Sequence, residues 1–146
     1  MTDAQSIADA VGSGMYARDR AAQVLGIAVE RIQPGGAVCR MTVREDMVQG
    51  HGTCHGGILF TLADTAFAYA CNAYNRVTVA LNAEIAFLAP ARLGEVLTAT
   101  ACERSRTGRT GVYDVEVRSG EGALVALFRG TSYETRGEVV ASGAGV

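Results

Sequence analysis

The sequence predicts an α+β fold in which an antiparallel sheet wraps one long central helix. Three observations carry this. The first is an apolar run over residues 56–74 in which Asp64 is the only charged residue; an all-round apolar helix of that length belongs in a core or a membrane. The second is a series of alternating segments after Asn75, punctuated by glycine-bearing turns, the pattern of strands joined as hairpins. The third is a pair of similar segments ahead of the helix, joined at Pro34-Gly35-Gly36. Strands linked by tight turns pair antiparallel, and one apolar helix is buried most economically by such a sheet.

The elements follow in order. Residues 3–24 read as a helix, with Ile7, Val11, Met15, Val24 and Leu25 loosely spaced and Gly12 and Gly14 weakening its middle. Residues 26–33 and 37–44 are two strands of a hairpin. A polar, glycine-containing loop over 46–55 leads into the apolar helix. Residues 77–81 are a short β-branched run, and 82–88 follow, ending at Ala89-Pro90. Residues 95–104 alternate Val96, Thr98, Thr100 and Cys102. Thr107-Gly108-Arg109 is a turn. Residues 111–118 alternate cleanly, with Val112, Asp114, Glu116 and Arg118 on one face and Gly111, Tyr113, Val115 and Val117 on the other. Ser119-Gly120-Glu121-Gly122 is the next turn, and 123–134 the last long strand. The whole, 1–146, reads as one domain with its core over about 25–134, a helix in 1–24, and a tail over 137–146 expected to fray.

Composition narrows the function. A chain of 146 residues can bury a core alone. A net charge of −2 argues against a nucleic-acid partner. The apolar run is long enough to span a bilayer, but Asp64 near its middle, its many small residues and its weak basic flanks favour a core helix over a membrane span. The N-terminus carries Asp3 and Asp9 and lacks a basic-then-apolar leader pattern. Cys39, Cys54, Cys71 and Cys102 are scattered without a disulfide framework. Reduced thiols in a cytoplasm are the simplest expectation. His51 and His55 are the only histidines, and no second Cys/His cluster completes a tetrahedral set, so no metal is expected.

Asp64 is the focus for chemistry. A buried, unpartnered carboxylate is costly and has its pKa pushed upward. It is kept either for a structural partner, as a cap or half of an ion pair, or for reaction chemistry. Just ahead of it, Gly56 and Gly57 open the helix. Glycines there leave backbone N–H groups unshielded, and such donors stabilise a developing oxyanion.

The segment Gln49-Gly50-His51-Gly52-Thr53-Cys54-His55-Gly56-Gly57, followed by Leu62-Ala63-Asp64-Thr65-Ala66, resembles the signature of hotdog-fold acyl-CoA thioesterases. It is most similar to the phenylacetate-degradation (PaaI-type) branch. The likeness runs from about Leu25 to Ser132 and includes Phe87-Leu88-Ala89-Pro90, Gly111-Val112-Tyr113-Asp114 and Leu127-Phe128-Arg129-Gly130. The resemblance implies hydrolysis of an aryl- or arylacetyl-CoA to free acid and CoA. It implies that the Gly56 N–H polarises the thioester carbonyl, that His55 supports the oxyanion site, and that Asp64 is nucleophile or general base. Gln49 stands where the most similar branch has Asn; another hotdog branch has Gln there, paired with a Glu. The resemblance further implies substrate contacts at Gly57, Asn82, Phe87 and Pro90, and at Arg92, Arg106, Gly108 and Arg109 for the CoA phosphates. Alternatively these arginines, with Arg104, form a solvated face. Phe60, Phe67 and Tyr69 are either core or acyl-pocket residues. No metal or redox cofactor is implied; CoA is part of the substrate.

Gly56 and Asp64 lie eight residues apart, about 12 Å along a helix. One carbonyl cannot touch both in one chain. Two helices packed antiparallel about a two-fold axis bring Asp64 of one to Gly56 of the other, twice. A homodimer is therefore expected, with family members often pairing dimers into tetramers. Two rivals remain: a hotdog hydratase or dehydratase acting on acyl thioesters, and a non-enzymatic acyl-CoA-binding module.

Overall fold

The computed structural model describes residues 3–141. Helices α1 (Ala4–Tyr16) and α2 (Arg20–Val24) lead into strands β1 (Ala28–Gln33) and β2 (Gly36–Thr42). A single 3-10 turn, Glu45–Met47, precedes the long helix α3 (Gly56–Asn72). Strands β3 (Thr78–Phe87), β4 (Val96–Thr107), β5 (Thr110–Ser119) and β6 (Leu124–Glu134) complete the chain. All six strands form one antiparallel sheet in the order β1-β2-β4-β5-β6-β3. The sheet curves around α3, which is the expected α+β arrangement.

Packing explains how closely the layers approach. α3 turns Leu59, Leu62, Ala63, Ala66, Phe67 and Ala70 into the sheet. Phe67 lies edge-on to Tyr113 of β5, with ring centroids 5.6 Å apart, and tilts against Phe128 of β6 at 5.7 Å. Gly130 makes room for it, since a Cβ there would sit 2.8 Å from the Phe67 ring. Phe60 meets Phe128 edge-on at 5.3 Å, and buried Tyr69 donates its hydroxyl to Asp19 at 3.1 Å. These three aromatic residues are core or border it. The alternation read in β5 holds: Gly111, Tyr113, Val115 and Val117 are buried.

Three sequence expectations need correction. The helix expected over 3–24 is two helices. Asp19 restarts the chain by accepting the Ala22 N–H at 3.2 Å, a new N-cap. Gly12 does not merely weaken α1; it lets the helix approach β1, since a Cβ would lie 3.0 Å from Ile32. The runs 77–81 and 82–88 are one strand, β3, interrupted by a register shift between Ala80 and Asn82; the bulge breaks the alternation on which the division rested. Finally, α3 is not covered all round. Gly57 is exposed, and Thr61, Asp64, Thr65 and Ala68 remain partly open, because nothing within the described chain packs on that stripe.

The two edges of the sheet differ. At β1, Gln5 of α1 donates to the Ile32 carbonyl at 2.8 Å and Tyr16 to the Ile27 carbonyl at 2.6 Å. At β3, no described strand pairs with the outer edge. There Val79, Leu81, Phe87 and Leu88 stand exposed. The expected tail, 137–146, lies partly outside the described residues; within them, Asn75 and Val140 exchange two hydrogen bonds of 3.0 and 2.9 Å. No helix among the described residues is long and apolar enough to cross a membrane.

Candidate active site

The start of α3 is built by a turn that spends its side chains on itself. His55 is the N-cap: its Nδ1 accepts the Gly57 N–H at 3.0 Å. Nδ1 is therefore the unprotonated ring nitrogen, and the neutral tautomer carries its proton on Nε2. The His55 carbonyl accepts from Ile58 and Leu59, at 2.9 and 3.2 Å. That leaves the Gly56 N–H as the first-turn donor without an acceptor among the described residues. Gly56 must be glycine for a packing reason too. The Phe87 ring crosses the helix start, and a Cβ on Gly56 would meet it at 3.0 Å.

Beside this donor lies a cavity of about 410 Å³. Leu59, Phe87, Leu88 and Pro90 give it apolar walls, and Gln49, Thr53, Cys54 and Gly56 its polar side. Gln49 is tied into its own loop: its Oε1 accepts the His51 N–H, and its Nε2 donates to Thr53 Oγ1 at 2.8 Å. A larger groove, about 740 Å³, lies between α1 and β1 and is lined by Asp9, Ser13, Tyr16 and Glu30 among others. It holds none of the residues singled out from the sequence. We therefore assign weight to the smaller cavity, where a free donor meets apolar walls.

Asp64 is two turns further along α3, on its open stripe. It has no hydrogen bond or ion pair with any described residue, so neither structural alternative, cap nor ion pair, is realised within the chain. Burial pushes its carboxyl above the usual carboxylate range. Along the helix it is about 12 Å from Gly56.

The remaining predicted residues divide into two groups. Arg92 sits by the helix start, where residues 53 and 92 form a β-bridge and the Arg92 N–H donates to Glu95 at 2.7 Å. The fold takes Arg104, Arg106 and Arg109 to the β4–β5 region instead. Arg106 stacks over the Tyr74 ring at 3.7 Å and approaches Glu134 at 3.8 Å. Arg109 donates to the Glu134 carbonyl at 3.1 Å, and Arg104 pairs with Asp114 at 3.6 Å. Gly108 forms the turn between them at φ +61. Tyr74 and the turn lie beyond the C-terminal end of α3, opposite the cavity. Asn82 is exposed on β3 just after the bulge, opposite Thr131. The sequence reading missed Thr53, the partner of Gln49, and Tyr74 with Glu103, which support Arg106. A polar residue four places from Gln49 was the only trace of the first; nothing local marked the others. No group of three or more potential metal ligands occurs among the described residues.

Comparison with known proteins agrees with this geometry. Residues 51–126 match the family model of the thioesterase superfamily. The chain is 48% identical over 125 residues to the acyl-coenzyme A thioesterase PaaI of Escherichia coli K12, covering 86% of this chain and 89% of that one. It superposes on the structure of the E. coli PaaI protein from the phenylacetic acid degradation operon with a TM-score of 0.91 at 45% identity, over 93% of this chain and 99% of the other. A Streptococcus pneumoniae hypothetical thioesterase solved with coenzyme A matches with a TM-score of 0.74 at 27% identity, over 77% and 90% of the two chains. With a matching family model, a close relative and one shared fold, the chain belongs to the thioesterase superfamily and carries its hotdog fold.

Proposed function

We propose that the protein is an acyl-CoA thioesterase that hydrolyses an aryl- or arylacetyl-CoA to the free acid and CoA. One observation carries the reading: a carboxylate with no hydrogen-bond or ion-pair partner among the described residues lies on the same helix that begins with an unused N–H beside a cavity. The names of the similar proteins, acyl-CoA thioesterase and phenylacetic acid degradation, support the substrate class. The apolar walls of Leu59, Phe87, Leu88 and Pro90 suit an aromatic acyl group.

The site is completed by a second copy. The outer edge of the ten-residue strand β3 has no described strand paired to it, and edges of that length invite pairing with another chain. Two β3 edges joined about a two-fold axis bring the open α3 stripes together, so that Asp64 of one copy faces Gly56 of the other. The Gly56 N–H then holds the thioester oxygen. Asp64 either takes a proton from the attacking water or attacks the carbonyl carbon itself and is released by water. In both cases the C–S bond breaks, the acyl carbon gains the water oxygen, and the thiolate leaves as the CoA thiol after protonation. His55 serves by fixing the turn that aims the Gly56 N–H. Gln49 lines the acyl cavity, with one amide N–H left over from its bond to Thr53. Arg106 and Arg109, flanking Gly108, meet the CoA phosphates, and Asn82 and Arg92 border the path between. No metal or redox cofactor enters these steps. Four free thiols suit a reducing compartment, and the cytoplasm is the proposed location.

The test is thiol release over a panel of acyl-CoAs, run with Asp64→Asn beside the wild type and with product analysis. Rapid release from arylacetyl-CoAs that the variant loses is the expected result. Hydrated or dehydrated acyl-CoA with no free thiol would identify a hydratase. Tight retention without turnover would identify a binding module.

A further inference from the structure

We propose that Tyr74 is a positioning residue for Arg106, held by a relay that runs from the core to the surface and presents the guanidinium to a phosphate of acyl-CoA. The proposal rests on the assignment of Arg106 to the CoA phosphates made above.

The relay begins at Tyr113, which is 1% exposed and braced by Phe67. Its hydroxyl donates to Glu103 Oε1 at 2.8 Å. The Tyr74 hydroxyl donates to the same oxygen at 2.9 Å. One carboxylate oxygen thereby fixes two phenols, one from the core of the sheet and one from just beyond α3. Burial, with the Glu103 carboxylate beside it, holds the Tyr74 phenol above its ordinary range, so it remains a donor. Gly35 clears the space: a Cβ there would lie 3.0 Å from the Tyr74 oxygen and 3.1 Å from Glu103 Cβ. The Tyr74 ring is thus fixed at its tip, and Arg106 rests on its face at 3.7 Å.

Stacking holds the guanidinium through its π face and leaves its N–H edge for an anion. Glu134 is 3.8 Å from it, a loose contact that a diphosphate can replace. Arg109, on the far side of Gly108, is anchored to the Glu134 carbonyl, so two cations flank one turn.

The spacing agrees with the shared site. Tyr74 is ten residues past Asp64, about 15 Å in the direction of the helix. If the thioester of the facing copy lies at Asp64, the phosphates must reach that far. The pantetheine arm has roughly thirteen bonds from sulfur to phosphorus, about four residues of extended backbone and hence about 15 Å. Rigid mounting matters at such a remote contact, because an arginine ordered in advance loses less freedom on binding.

The test compares wild type, Tyr74→Leu, Tyr74→Phe, Arg106→Ala and the Tyr74→Leu/Arg106→Ala double variant. Each is assayed with an acyl-CoA and with the N-acetylcysteamine thioester of the same acid, which lacks the phosphates. Tyr74→Leu is expected to raise KM for the acyl-CoA about two- to fivefold with kcat unchanged, and to leave the truncated thioester unaffected. Tyr74→Phe keeps the ring and loses only the Glu103 bond, so its effect is smaller. The double variant should match Arg106→Ala alone, and Kd for free CoA should follow the same order. An equal change with the truncated substrate, or additive effects in the double variant, would overturn the proposal while leaving the role of Arg106 intact. An unchanged KM in Arg106→Ala would overturn both.

Discussion

The two ends of α3 solve opposite problems. At its start, side chains withdraw: two glycines, a capping histidine that consumes one N–H, and a ring laid against bare backbone leave a single donor facing an apolar hollow. At its finish, side chains accumulate: Tyr74, Tyr113 and Glu103 are mutually bonded, and an arginine is stacked on the outcome. In the proposed reaction, charge that develops only in the transition state would be met by rigid backbone, whereas charge already present in the substrate would be met by a braced side chain. On that proposal the first arrangement acts on kcat and the second on KM. Asp64 lies between, belonging to neither end of its own helix.

The largest effect should come from removing it. Asp64→Asn is expected to keep the fold and lower kcat at least about 100-fold, measured by thiol release with circular dichroism as control. Its pH dependence sharpens the point. Burial raises the carboxyl pKa in the folded state, so a wild-type reaction that needs the ionised form should lose kcat on the acid side at a pH above the usual aspartate range. The same shift has a stability sign. The folded state holds this proton more tightly than the unfolded chain, so its contribution is most favourable below the unfolded pKa and is lost as pH rises through the folded one. Asp64→Asn should therefore raise Tm near neutrality, and that gain should shrink in acid.

The next test breaks the comparison at its hinge, the claim that each site takes its two ends from different chains. Gly56→Pro removes the N–H and Asp64→Asn the carboxylate. Re-associated together, the two inactive proteins should form heterodimers with one intact site in two, and recover up to roughly half the wild-type activity. No recovery in the presence of demonstrated heterodimers would mean the site lies within one chain.

A smaller effect should separate positioning from chemistry at the helix start. His55→Ala loses the acceptor for the Gly57 N–H and should lower stability by about 1 kcal/mol, roughly 2–4 °C in Tm for a chain of this size. His55→Asn restores an acceptor at the cap. Recovery of Tm and kcat together would mark His55 as a positioning group; recovery of Tm alone would give its imidazole a direct part. The smallest change is expected at the other end, where Arg109→Ala should raise KM for acyl-CoA a few-fold with kcat unchanged. An unchanged KM would return Arg109 to the solvated face.

How much of this was legible in the sequence differs by region for physical reasons. The β5 face was legible because one side packs on α3 and the other meets water, which writes a period of two. The helix start was legible because its feature is bare backbone, and backbone exposure is written as glycine at fixed spacing from Asp64. β3 was misread as two pieces because its bulge shifts the alternation midway, and α1 was run into α2 because Asp19 looks like any other polar residue until it caps. The open stripe on α3 could not be read, since Thr61, Thr65 and Ala68 differ too little in polarity from the buried Ala63, Ala66 and Ala70 to mark which side lacks cover. That Arg92 lies apart from Arg106 and Arg109 was not legible, because charge in a sequence carries no address. Tyr74 and Glu103, 29 residues apart, meet only through the sheet.

The unequal edges of the sheet have a further consequence. A strand-edge contact that can be repeated at both ends of a sheet propagates, and propagation leads to filaments. Here the side chain of Gln5 occupies the Ile32 carbonyl of β1 and that of Tyr16 the Ile27 carbonyl just ahead of it, whereas no described strand pairs with the outer edge of β3. Addition through β3, as proposed, would be self-terminating: once two open edges have met, each copy has only its stoppered edge left. In the proposed pairing, the helix at the N-terminus, remote from any chemistry, would act as the chain-stopper that limits a sticky sheet to a closed pair.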